Sequence, residues 1–245
     1  TIAYNTVQLP NLANCIAVYG GSGNQVLYNK VYDNVNNGSG ICVGTDYVTE
    51  KGFSGTTYVK NNELNRCGSW HCDYDYPVGA LWIWATKSPM TASFIISDNV
   101  IKDSSYEGIL IDCWNTISGL VIRDTNIYGA TDGIYARGNA TGTMTFDNVG
   151  VSDISGELFS NEAAGVTAAT EGKGLYQTTT PEEGTKKKCA VVYHLNHADA
   201  VNAAGNLSEY EEGTTVSLQA PTLEGYTFGG WYTDAELTEG AKVQS

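Results

Sequence analysis

The feature that most constrains this chain is a short pattern, apolar-x-x-Asn-x-apolar, that recurs through its first 150 residues. It stands at residues 2–7, 26–31, 59–64 and 96–101, which puts Asn5, Asn29, Asn62 and Asn99 in one column. Two looser copies follow at 122–127 and 146–151, with Thr125 and Val149 in that column. The starts are separated by 24, 33, 37, 26 and 24 residues. After each copy comes a second short apolar run, in order "CIAVY", "GICVG", "ALWIW", "GILID", "GIYAR" and "GELFS". Short strands recurring in register at such a period describe the coils of a solenoid, each too small to bury its own apolar face. Asparagines in one column are then expected to hydrogen-bond from coil to coil, as identical amides do in cross-β ladders. A sandwich of hairpins would show closer spacing with Asn-Gly turns, which fits less well. The expected fold class is all-β, a parallel β-helix.

Within each second run, alternate residues face the core. The consistent register sends Ile16, Val18, Ile41, Val43, Leu81, Ile83, Ile109, Ile111, Ile134 and Ala136 inward. It sends Ala17, Tyr19, Cys42, Gly44, Trp82, Trp84, Leu110, Asp112, Tyr135 and Arg137 outward. Tyr19, Trp82, Trp84 and Tyr135 would offer flat apolar planes with polar edges, and Asp112 and Arg137 would offer hydrogen bonds to hydroxyls. That is a sugar-binding face, unless the insertions at 45–55 and 66–78 fold over it and leave the tryptophans as covered core. The second insertion, "RCGSWHCDYDYPV", gathers Trp70, His71, Asp73, Tyr74, Asp75 and Tyr76. A cleft wall, a calcium-binding loop and a disulfide-braced loop each fit it. Loop residues more often bind than pack, so Trp70 and Asp73 join the substrate-contact set. Cys67 and Cys72 are close enough in sequence to staple this loop, which would suit an extracytoplasmic protein.

Glycoside hydrolysis needs two carboxyl groups flanking the scissile bond. Glu107 and Asp132 occupy equivalent places on successive coils, each before a glycine, and Asp73 and Asp75 form a second pair. Both pairs have an ordinary explanation, since acids before a turn glycine often serve the turn. The chain carries 13 basic and 27 acidic residues, a formal charge of −14. This speaks against nucleic acid, which needs clustered Lys and Arg, and against a lyase cleft for anionic uronates. No segment is long and apolar enough for a membrane-spanning helix. The six cysteines show no C-x-x-C spacing, so structural zinc is not expected, and no cofactor is expected beyond the calcium that the insertion at 66–78 could hold.

Past Phe159 the pattern dissolves into a polar stretch ending in "TTTPEEGTKKK", and a second unit begins. The expected organisation is a β-helix at 1–175, a linker at 176–188 and a small unit at 189–245. In the last, 190–195 and 214–219 read as half-buried strands. Its segment "GYTFGGWYTDAELTEGAKV", through Gly225, Tyr226, Phe228, Gly230, Trp231 and Tyr232, resembles the internalin-B-type repeat, a β-grasp-like module of bacterial surface and secreted proteins. Modules of that family usually run one strand further, so this copy is expected to be incomplete. Trp231 and Tyr226 read as packing residues of a small domain rather than ligand contacts.

The order of "NTVQLPNLANCIAVYGGSGNQVLYNKVYDNV", "GSGICVG", "FSGTTYVKNNELNRCG", "GALWIWA" and "SSYEGILI" resembles the later coils of glycoside hydrolase family 87, over residues 1–150. These are bacterial α-1,3-glucanases and mycodextranases with a right-handed parallel β-helix. The resemblance implies an endo-α-1,3-glucanase-type protein, a polysaccharide partner, and an extracellular or cell-surface location. Its catalytic residues are acids, one on an early coil and an Asp pair followed by Gly on the next. No Asp-Asp occurs in this chain, and the matching column of the first coil holds Ala13 and Asn14. The resemblance therefore places the catalytic acids on coils upstream of Thr1, which would also cover the first coil's apolar cross-section. The 245 residues by themselves are then expected to be inactive. The alternative is a carbohydrate-binding or adhesive β-helix without catalysis.

Overall fold

Ile2, Val26, Val59, Ile96, Ile122 and Phe146 fall opposite one another in a single parallel register, the one that the repeated pattern prescribes. The computed structural model describes residues 1–34, 36–45, 52–73, 75–178, 188–211, 216–234, 236–238 and 241–243. The chain divides into two compact units, Thr1–Thr185 and Lys186–Ser245. Among the described residues there is no α-helix, and hence none long and apolar enough to cross a membrane.

The first unit is a parallel β-helix. Its first sheet stacks Ile2–Ala3, Gln25–Leu27, Thr56–Lys60, Ser93–Ser97 and Ile117–Arg123, and its second stacks Thr6–Gln8, Lys30–Tyr32, Glu63–Asn65, Val100–Lys102 and Asn126–Ala130. The strand Thr141–Ile154 runs through both sheets. The third sheet stacks Ile16–Val18, Ile41–Gly44, Leu81–Ala85, Ile109–Cys113, Ile134–Arg137 and Phe159–Asn161. A last strand, Gly165–Gln177, pairs in parallel with Thr141–Ile154. Coil stacking therefore continues through Gln177, beyond the boundary expected at 175.

The corner between the first two sheets explains the asparagines. Backbone N–H and side-chain Nδ2 of Asn5 both donate to Oδ1 of Asn29, at 3.0 and 2.9 Å. Asn29 repeats this on Asn62 (2.9 and 3.0 Å), and Asn62 on Asn99 (3.0 and 3.0 Å). Thr125 ends the chain of amides by accepting from the Asn99 N–H at 3.4 Å. Asn29, Asn62, Asn99 and Thr125 are buried, so each unmade bond would leave a desolvated polar group. The residue before each ladder position bends the chain with a left-handed φ of 45–59°: Tyr4, Tyr28, Asn61, Asp98, Asp124 and Asn148. Asn and Asp tolerate that region, whereas a bulky Tyr is rarely found there. At Val149 the column becomes apolar and buried.

All ten residues expected to face inward along the third sheet lie in one continuous core, with Leu64, Phe94, Ile96, Ile101 and Phe146 from the other sheets. Burial of such side chains, about 1.5–3 kcal/mol each, is the main force holding coil on coil.

In the second unit the paired strands are Lys188–Ala190 and Glu209–Glu211, antiparallel. This differs from the strands expected at 190–195 and 214–219; Thr214 and Thr215 lie outside the described residues. Isolated bridges join Val201 to Thr222 and Tyr232 to Lys242. Trp231 packs among Tyr193 and Phe228, with ring centroids 5.4 and 5.3 Å away, and donates its indole N–H to the Gln219 carbonyl at 3.1 Å. Tyr226, expected in the core, is 72% exposed: it sits on a turn in which its N–H reaches back to the Leu223 carbonyl.

Candidate functional site

The third sheet carries the outward residues in two rows. One runs Ala17, Cys42, Trp82, Leu110, Tyr135 and Ser160, and the other Gly44, Trp84, Asp112 and Arg137. Trp82 and Trp84 project from the same face of one strand and stack at 4.0 Å, 17° from parallel. Gly44 permits this, because a Cβ there would stand 2.9 Å from both Cβ and O of Trp84.

The face is not open over these coils. The insertion at 69–78 forms an antiparallel hairpin, Ser69–His71 with Tyr76–Val78, which lies over it. His71 and Tyr76 meet the Trp82 ring edge-on, at 5.9 and 6.4 Å. Ser69 Oγ both accepts from the Gly38 N–H and donates to the Gly38 carbonyl, and the Cys72 N–H reaches Asn37 Oδ1 at 2.8 Å. Trp82, Trp84 and Asp112 are consequently buried, which corrects the expectation of an exposed sugar platform at these three. Asp112, fully enclosed, accepts from the Trp82 indole N–H at 2.8 Å and from Arg137 Nε and Nη2 at 2.5 and 3.2 Å. The Arg137 guanidinium lies 3.7 Å from the centre of the Tyr76 ring, so one cation joins the hairpin to the sheet.

Tyr19 is half-buried beside the same cluster, its hydroxyl accepting from Asn14 Nδ2 at 2.9 Å. Tyr135 is half-buried and donates its hydroxyl to Glu162 Oε2 at 2.7 Å. Burial, then that carboxylate, pushes its phenol up to about 12. Trp70, by contrast, is 47% exposed on the outer side of the hairpin. Its indole N–H meets Asp75 Oδ1 at 3.3 Å, and its ring lies 6.4 Å from that of Tyr106.

Glu107 and Asp132 are neighbours on adjacent coils, since the Gly108 N–H donates to the Asp132 carbonyl at 2.9 Å. Glu157 continues the column, with the Gly133 N–H on its carbonyl at 3.0 Å. Glu107 is only 6% exposed, and its Oε2 has no hydrogen-bond partner among the described residues. Burial raises its carboxyl above the ordinary range. Asp132 is half-exposed and accepts the Glu157 N–H through Oδ1 at 2.6 Å. Asp73 and Asp75 are instead exposed on one tight turn, Asp75 with φ 56°, and Tyr74 between them lies outside the described residues.

Cys67 and Cys72 form no disulfide. The Cys67 thiol turns inward to the Val31 carbonyl, whereas Cys72 faces out beside Asp73. Among the described residues no three His, Cys, Asp or Glu side chains gather closely enough to hold a metal ion. Sequence reasoning does not single out Tyr106 or Glu162. Tyr106 stands next to Glu107 and was legible only through that adjacency.

Comparison with known proteins adds three findings. A family model for the Listeria-Bacteroides repeat domain matches residues 190–245. A search of curated proteins finds no match. Among solved structures, the catalytic unit of a thermostable GH87 α-1,3-glucanase from Streptomyces thermodiastaticus strain HF3-3 is similar at 27% identity and a TM-score of 0.63, over 71% of this chain and 33% of that one. The Agl-KA catalytic domain shares the fold at 21% identity and a TM-score of 0.55, over 69% of this chain and 31% of its own. The chain thus spans about a third of each catalytic structure that it resembles, and over the aligned part its fold is glycan-hydrolase-like.

Proposed function

We propose that this chain is the glucan-engaging part of an extracellular or surface-displayed bacterial glycoside hydrolase acting on α-1,3-glucan-type polysaccharide. The observation that carries the reading is the similarity to the GH87 α-1,3-glucanase catalytic unit, 27% identical over 71% of the chain. In this reading the hydrolytic carboxylates come from coils other than those of the 245 residues. Two facts support that assignment. The chain has no Asp-Asp-Gly element. Asp73 and Asp75 share one exposed turn rather than flanking a cleft.

Incubating the chain with insoluble α-1,3-glucan while measuring released reducing ends tests the division of labour. The expected result is adsorption without hydrolysis. Reducing ends produced by the chain, and abolished in Glu107→Gln and Asp132→Asn, would put the acids inside it instead.

A further inference from the structure

We infer that the outer side of the hairpin is a stacking site for an uncharged hexose unit, with Trp70 as its platform, Tyr106 as its wall and Asp75 as the group that fixes the indole. The inference deepens the proposed glucan reading and rests on it. Strand alternation sets the platform. Ser69 and His71 turn toward the third sheet and are buried, whereas Trp70 between them points away and is 47% exposed. Its cross-strand partner is Pro77, half-buried, so the indole stands beside a second apolar side chain. The ring of Tyr106, half-buried on the following coil, lies 6.4 Å from that of Trp70 with planes at 52°. Two tilted rings give a hexose one plane to stack on and a second to stop against.

Asp75 completes the corner. The hairpin turn closes with the Asp75 N–H on the His71 carbonyl at 2.8 Å, and Asp75 takes a φ of 56°, which Asp tolerates. The turn brings Oδ1 of Asp75 within 3.3 Å of the Trp70 indole N–H. An exposed indole is free to change rotamer, and this bond holds its plane in one orientation, so less freedom is lost when a ligand stacks on it. The same carboxylate has acceptor sites left for sugar hydroxyls. Asp73, exposed on the same turn, adds a second negative charge, so a uronate would be repelled and a neutral sugar admitted. Trp70, Tyr106 and Asp75 are each open to solvent, wholly or in part, and both contacts run through Trp70 itself.

The test pairs calorimetric titration of the whole chain with indole protection, using a soluble α-1,3-linked glucooligosaccharide and an oligogalacturonate as the charged counterpart. Trp70→Ala is expected to weaken glucan binding about tenfold, and Asp75→Ala about threefold. Trp114→Ala, altering an exposed tryptophan (46%) outside the hairpin, should change nothing. In the wild type, bound oligosaccharide should shield Trp70 from oxidation by N-bromosuccinimide and leave Trp114 reactive, with peptide mapping as the readout. Thermal melts beside each titration separate lost binding from lost fold. Glucan binding that is unchanged in Trp70→Ala, or that leaves Trp70 and Trp114 equally oxidised, overturns the site and leaves the glucan reading standing. Full binding by Asp75→Ala overturns the part given to the carboxylate. No glucan binding by the wild type overturns both the site and the reading, as would preferred binding of the galacturonate.

Discussion

The indole N–H of Trp82 donates to Asp112 Oδ2 across one coil boundary, at 2.8 Å and with both side chains fully buried. Asp112 is thereby held between a neutral donor on one coil and the guanidinium of Arg137 on the next, 14% exposed. Charge burial of this kind is tolerable only while every partner stays in place.

Arg137→Met should therefore lower stability by about 3–5 kcal/mol, because it strands the Asp112 carboxylate. The double variant Asp112→Leu with Arg137→Met should recover most of this, less about 1–3 kcal/mol for the orphaned Trp82 N–H. Thermal melts of the single and double variants check both. A single variant as stable as wild type would show that the pair contributes nothing.

The asparagine ladder makes a positional prediction. Asn62→Ala removes an acceptor for two N–H groups of Asn29 and a donor to the Asn99 amide, all buried. A loss of about 3 kcal/mol is expected, or a melting point lower by roughly ten degrees. Asn5→Ala, at the exposed end of the same ladder, should cost less than about 1 kcal/mol. Equal effects at the two positions would contradict the ladder as the element that joins coils.

Glu107 gives stability a pH dependence of definite sign. Burial raises its folded-state pKa above the unfolded value, so the folded state binds more protons between the two. Its contribution is thus intact below the unfolded pKa and falls as pH rises through the folded one. Glu107→Gln should melt above wild type near neutral pH, and the difference should vanish in acid below the ordinary carboxylate range. A constant difference across the range would contradict a buried, titrating carboxyl.

Cysteine reactivity separates a free loop from a stapled one. Burial pushes the Cys15 thiol up to about 12 and that of Cys67 up to about 11, and Cys42 and Cys113 are buried. Alkylation of the native chain at about pH 8 should mark Cys72 before any of these four, with peptide mapping as the readout. A Cys67–Cys72 disulfide in the unreduced digest would contradict the structure.

Much of this architecture was legible in the residues, and for a physical reason. In a solenoid, register is local information. A polar side chain that must find its twin on the next coil recurs at a fixed place in each copy, so Asn5, Asn29, Asn62 and Asn99 announce their own alignment. The alternation of Leu81, Trp82, Ile83 and Trp84 then follows from strand geometry. What an insertion does is not local. Nothing in "RCGSWHCDYDYPV" says that it pairs with itself and folds back over Trp82, because that depends on Ser69 reaching Gly38 and Tyr76 reaching Arg137, both on other coils. The pattern gives the outward direction of Trp82 and Trp84 but not their exposure, and both are buried. The orphaned Glu107 oxygen is likewise a property of packing depth.

We propose above that this β-helix engages an α-1,3-linked glucan. The most direct measurement is the partition of the intact chain between solution and washed particles of insoluble α-1,3-glucan, beside equal masses of cellulose and of pectate. Saturable depletion onto the α-1,3-glucan, with little onto the other two, is the expected result. Equal adsorption to all three, or to none, would contradict specific engagement of α-1,3-glucan.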